Sequence, residues 1–176
     1  MKPSLALTLL LSLALAQGLS LEEALKKAPS LNPVQAALLE EENKKKELER
    51  TLADPLKTAL SELQARQAYT LAQAKRARAL RQAESSLVSA YTGVLEAELQ
   101  LRIAQKALLL SQKAERAAEI RVKGGGASPL DLEKARKDRL EAEKNLRLAE
   151  AGLWAARRNL KSLTGSEEAL PLGPLP

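Results

Sequence analysis

Histidine and cysteine are both absent from this sequence, so the usual general base, thiol nucleophile and soft metal ligands are missing. Carboxylate, guanidinium and ammonium groups remain, and their spacing points to packing rather than catalysis. Glu115 and Arg139 fall inside apolar seven-residue repeats on two separate stretches of chain. A charged pair so placed sets the register of two helices, with a small-ligand site as the alternative. In "KGGGASPLD", Gly124, Gly125 and Gly126 permit positive φ values and a tight reversal. Ser128 is then placed to cap a helix begun by Pro129, with Asp131 at the third position accepting from the cap region. A third set is the acid-free run between Glu62 and Glu84, which holds Arg66, Lys75, Arg76, Arg78 and Arg81. It reads either as contact with an anionic surface or as the solvated face of a basic protein, and its role stays open. No catalytic residue, cofactor site or metal ligand is assigned, and the chain is read as a non-enzyme.

These groups must be positioned by helices. The 176 residues are 28% charged and only 2% aromatic, with no Phe. That composition builds long helices or coiled coil and lacks the aromatic platforms that nucleic-acid binding uses, so no nucleic-acid partner is expected. Ser20-Leu21-Glu22-Glu23 is a capping box. Asn32-Pro33, Asp54-Pro55 and Ser128-Pro129 each read as an N-cap followed by Pro at the first helical position. Gly124 to Gly126 and Gly165 supply stops. The predicted helices span about 20–28, 33–53, 55–122 and 129–164, and no alternating β-branched run predicts a strand.

The two longest helices match each other. Folded back at the glycines, Val94 faces Leu160, Ala97 faces Ala156, Leu101 faces Leu153, Ala104 faces Ala149 and Leu108 faces Leu146. The paired residue numbers keep a nearly constant sum, large opposing large and small opposing small. In the same register Glu115 meets Arg139. The helix at 33–53 is expected to fold at Ala53-Asp54, bringing Leu52 to Leu56, Leu48 to Leu60, Leu38 to Leu71 and Val34 to Ala74, with Glu41 and Lys45 inside that seam. The expected fold class is all-α: a long antiparallel helical hairpin or coiled coil forming an elongated rod, with no β-barrel.

The ends read differently. Lys2, the apolar run Leu5 to Leu15 and Ala14-Leu15-Ala16 make residues 1–16 a secretory signal peptide, leaving a helical domain at 17–165 and a loose Pro-rich tail at 166–176. The mature chain is expected to be exported and to contain no membrane-spanning segment.

Four stretches together resemble one repeat of the outer membrane efflux protein (TolC) family. They are "LSLEEALKKAPSLNPVQAA" at 19–37, "SSLVSAYTGVLEAE" at 85–98 with Tyr91 in a long helix, "RVKGGGASPLDLEKARKDRLEAEKNL" at 121–146, and "LKSLTG" at 160–165. In the third, Arg121, Gly125, Ser128, Asp131 and Ala135 carry the likeness. The family's trimeric channels have two repeats per chain, periplasmic helical hairpins, and strands that build an outer-membrane barrel. The resemblance implies a TolC-like hairpin whose tip, at Gly124, Gly125, Gly126, Ser128 and Asp131, docks on a periplasmic adaptor or TolC-type channel protein. It also implies homo-oligomers and outer-membrane association. Only one repeat is present, and the Asp54-Pro55 turn stands where barrel strands would follow. The function expected is thus a helical component of efflux or export, acting by coiled-coil packing and tip docking. A periplasmic holdase chaperone and a structural envelope spacer are the alternatives.

Overall fold

Ser20 opens the first described helix with its own side chain. Its hydroxyl accepts from the Glu23 N–H at 3.2 Å, while the Glu23 carboxylate accepts from the Ser20 N–H at 2.9 Å, which satisfies donors a helix start leaves unpaired. A computed structural model describes residues 19–165, and 89% of them are helical, with no strand among them. The elements are α1 (Leu21–Leu25), a 3₁₀ turn (Ala28–Ser30), α2 (Asn32–Ala53), α3 (Ala59–Lys123) and α4 (Pro129–Thr164). The expected signal segment 1–16 and tail 166–176 lie outside the described residues.

Two of the expected helix starts are displaced. Asn32 is not the cap of α2: Leu31 holds that position in extended conformation, and no side chain caps the helix. Partly buried Leu31 packs against the apolar cluster of the 3₁₀ turn, α2 and α3, so packing rather than Asn32 chemistry decides where the chain turns helical. Its carbonyl accepts from both Val34 and Gln35. Nor does Pro55 begin α3. Asp54 Oδ1 accepts from the Leu56 N–H at 2.8 Å, and the Lys57 N–H reaches the Asp54 carbonyl at 3.2 Å. Asp followed by Pro suits the first two positions of a β-turn as well as a helix start, and here the turn wins. α3 starts four residues later. Thr58 Oγ1 accepts from the Ser61 N–H and Ser61 Oγ accepts from the Thr58 N–H, each at 3.1 Å.

Contact within the chain groups the described residues into two compact units. One is Ala90–Ser162, and the other comprises the described residues on either side of it.

In the latter unit, Ala28, Val34, Ala83 and Leu87 form a buried cluster joined by Leu25, Leu31, Ala79, Leu80 and Leu163. Lys27 Nζ donates to the Thr164 carbonyl at 3.0 Å, giving a carbonyl at the end of α4 a cationic partner. Along α2, Glu40 pairs with Lys75 at 2.7 Å and Glu41 with Arg76 at 3.1 Å. These contacts correct the expected α2 register. Leu56, Leu60 and Leu71 are exposed, whereas Ala65 and Ala72 are buried, and Val34 sits with Ala83 rather than Ala74. Lengthening the turn carries α2 further along its partner. α3 also keeps one continuous stripe, so the line through Ala83 and Leu87 extends back to Ala72 and Ala65 with helical spacing. Of the two charged residues expected inside this seam, Glu41 is there, its side chain 15% exposed beside Arg76, while Lys45 points out at 61%.

In the unit Ala90–Ser162, Tyr91, Val94 and Leu160 are fully buried, and Ala104, Ala142 and Leu153 nearly so. Glu98 binds Arg157 at 2.9 Å and Glu115 binds Arg139 at 2.6 Å. As the number rises on α3 it falls on α4, so the segments run antiparallel. Leu and Ala recurring three and four apart explain why these faces turn inward.

Candidate docking turn and polar layer

The turn between α3 and α4 is built by two cooperating caps. The Gly126 N–H reaches the Arg121 carbonyl at 2.8 Å and the Gly125 N–H reaches the Val122 carbonyl at 3.1 Å. Gly125 has φ +73°. Together these are the paired bonds and left-handed residue of a Schellman ending. Of the three glycines expected to supply positive φ, only Gly125 does so among the described residues before Gly165. A Cβ on Gly124 would meet nothing closer than the Ile120 carbonyl at 3.5 Å, and one on Gly126 nothing closer than the Arg121 carbonyl at 3.7 Å. The expected result is that Gly125→Ala destabilises the protein by about 1 kcal/mol, while Gly124→Ala is close to neutral. Urea unfolding of the two variants checks this, and equal losses would contradict the assignment.

Across the turn, Ser128 and Asp131 cap α4. Ser128 Oγ donates to Asp131 Oδ2 at 2.8 Å, the Ser128 N–H donates to the same oxygen at 3.0 Å, and the Asp131 N–H returns a bond to Ser128 Oγ at 3.2 Å. The Ser128 hydroxyl and N–H hold the Asp131 carboxyl below its ordinary range, with Lys134 adding to the effect. A lowered folded-state value stabilises the protein above the unfolded value, and the gain is lost as pH falls through the folded one. The first turn of α4 should therefore fray below roughly pH 4. In Asp131→Asn, amide exchange in that turn should lose most of its acid dependence. Gly124, Gly125, Gly126, Ser128 and Asp131 are all exposed, so the turn offers a rigid, accessible surface.

The polar layer is larger than the sequence indicates. Besides its bond to Glu115, Arg139 donates through Nη1 to Glu143, and Arg136 Nε lies 3.6 Å from Glu115. Glu143, and then Glu115, raise the Arg139 guanidinium above its ordinary value. Glu143 stands one turn beyond Arg139 on α4, so i, i+4 spacing was the available signal. The Glu115 and Arg139 side chains are 21% and 27% exposed, between a surface pair and a buried one. In a double-mutant cycle, Glu115→Ala and Arg139→Ala should show coupling, since each removes the same bond. Additive melting shifts would mean that the bond contributes nothing. Replacing both by leucine should raise the melting temperature by a few degrees, because apolar packing in a seam commonly outperforms an ion pair there.

The basic run at 66–81 is sorted by the fold. Arg66 pairs with Glu62, Lys75 with Glu40 and Arg76 with Glu41. Two of those acids come from α2, which is why an acid-free run in the sequence does not make an unneutralised surface. Arg78 and Arg81 are the exposed remainder, and two cations make a weak anion-binding surface. Among the described residues no helix is long and apolar enough to cross a membrane. In comparisons with known proteins, no family model, no curated protein and no solved structure matched the chain.

Proposed function

We propose that the chain is a TolC-like helical component of an export or efflux assembly in the periplasm, associated with the outer membrane. In this reading it is an elongated helical-hairpin coiled coil that acts by packing and by docking its turn onto an adaptor or channel protein. The supporting observation is the exposed turn itself, held by the Gly125 ending on one side and the Ser128–Asp131 cap on the other. A turn fixed at both helix ends loses little freedom on binding, which favours recognition. The antiparallel segments behind it bury matched Leu and Ala positions, so the turn stands on a stiff base.

The test is crosslinking in the envelope followed by capture of the tagged chain and identification of its partners. Gly124→Trp is the chosen block, because a Cβ at exposed Gly124 makes only ordinary van der Waals contacts, the nearest at 3.5 Å, and leaves the Gly125 conformation alone. Capture of an adaptor or channel protein, lost in Gly124→Trp with unchanged circular dichroism, is the expected result. Equal capture by the variant would remove the turn from the interface. Copurification with unfolded outer-membrane proteins instead would replace this reading with the holdase one.

A further inference from the structure

The unit Ala90–Ser162 turns a second set of residues away from its seam. On α3 they are Leu99, Arg102, Lys106, Leu109, Lys113 and Arg116, spaced three and four apart and all exposed. On α4 they are Leu140, Lys144, Arg147, Trp154, Arg158 and Lys161, again all exposed. Leu109 is 51%, Leu140 55% and Trp154 63% open to solvent, so the stripe leaves large apolar groups uncovered among cations.

Its charge is one-sided because several carboxylates of the unit are used elsewhere. Glu98, Glu115 and Glu143 bind arginines nearer the seam. Three exposed acids are interspersed at this spacing, Glu96 one turn before Leu99 and Glu133 and Glu150 along α4, against the eight cations of the stripe. No ion pair among the described residues engages Arg102, Lys106, Lys113, Arg116, Lys144 or Arg147. Arg158 lies over the Trp154 ring, 5.3 Å from its centroid. Beside Leu140, a shallow depression of about 290 Å³ is bordered by Glu143, Lys144, Arg147 and Leu148.

Interleaved leucine, tryptophan and basic residues on an exposed helical face match what binds in the plane of a lipid interface: apolar groups enter the headgroup boundary while cations meet phosphates. Trp is favoured at that depth because its ring is amphipathic. The same face of a second copy would bring like charges together. A single acidic helix could follow the stripe of α3 or that of α4, whereas a deformable surface can take both. We infer that this outward face of α3 and α4 is a binding surface for an anionic phospholipid bilayer. The inference does not depend on the docking turn.

Trp154 is the only tryptophan in the chain, so its fluorescence reports this face alone. The purified chain is mixed with vesicles of phosphatidylglycerol or of phosphatidylcholine, and Trp154 emission, acrylamide quenching and cosedimentation are measured. The expected result is a blue shift and protection from quencher with phosphatidylglycerol only. The quadruple variant Arg102→Gln, Lys106→Gln, Lys144→Gln and Arg147→Gln changes exposed side chains, and its circular dichroism should be unchanged. Its vesicle affinity should fall on the order of a thousandfold. Sedimentation without a Trp154 shift would place binding elsewhere on the chain and overturn the inference. So would equal binding to neutral vesicles, or undiminished binding by the variant. Binding to an acidic helical peptide but not to vesicles would reassign the face to a protein partner, which also overturns it.

Discussion

Tyr91→Ala is expected to destabilise the protein by about 4 kcal/mol, since truncating a buried aromatic loses its transfer energy and leaves a cavity. Tyr91 is 0% exposed and the largest of the fully buried side chains. The contrast is Trp154→Ala. Trp154 is larger but mostly exposed, and its loss should change stability by about 0.5 kcal/mol or less. Chemical denaturation of the two variants tests burial against size. Comparable losses would mean that Tyr91 does not occupy the core position its burial indicates. The unusual feature is that an aromatic is buried in a chain otherwise packed with Leu and Ala. One large ring among small side chains has few neighbours able to fill its place, so collapse around the cavity should be limited.

Leu87→Ala should cost about 3 kcal/mol and lower the melting temperature on the order of 10 °C. Leu87 is fully buried in the cluster with Ala28, Val34 and Ala83. Its buried partners there are Ala28, Ala83 and Val34, small side chains that cannot extend to fill a void. The loss should also reach the N-terminal segment, because Leu25 and Leu31 pack on that cluster. Hydrogen exchange at α1 should accelerate in Leu87→Ala. In Val88→Ala, a residue 37% exposed and outside that cluster, it should not. Unchanged protection of α1 in the Leu87 variant would show that the 3₁₀ turn and α1 are held by their hydrogen bonds rather than by packing.

Much of the inward face of α3 and α4 was legible in the sequence, although Tyr91 was read there only as lying in a long helix. Helical spacing alone assigns Val94, Ala104, Leu153 and Leu160 to inward positions, and each is buried. The capping box at Ser20 and Glu23 and the cap at Ser128 and Asp131 were equally readable, because both rest on bonds between residues three apart. Less legible was where α2 packs. Asp54-Pro55 serves a turn or a helix start equally well in local terms, and four residues of difference displace every contact beyond it. The Asn32 cap failed for a related reason: the packing of Leu31 is a long-range fact.

The polar layer divides the same way. Glu115 and Arg139 stand out in the sequence as charges inside an apolar repeat. Glu143 and Arg136 look like ordinary helix-surface residues until the antiparallel segment brings Glu115 beside them. The basic segment at 66–81 gives the converse case, since Glu40 and Glu41 neutralise it from a different helix.

Local signals were enough to read that three long helices form, though not where α2 and α3 begin, and to read several inward residues of α3 and α4 and the glycine turn between them. Those features follow from periodicity and from hydrogen bonds spanning one turn of chain. Tertiary structure alone decided which α3 residues α2 covers, which charges are neutralised and which cations stay open to a partner. Those outcomes depend on distances between segments far apart in the chain, and a few residues of turn can change them all while leaving every local signal intact.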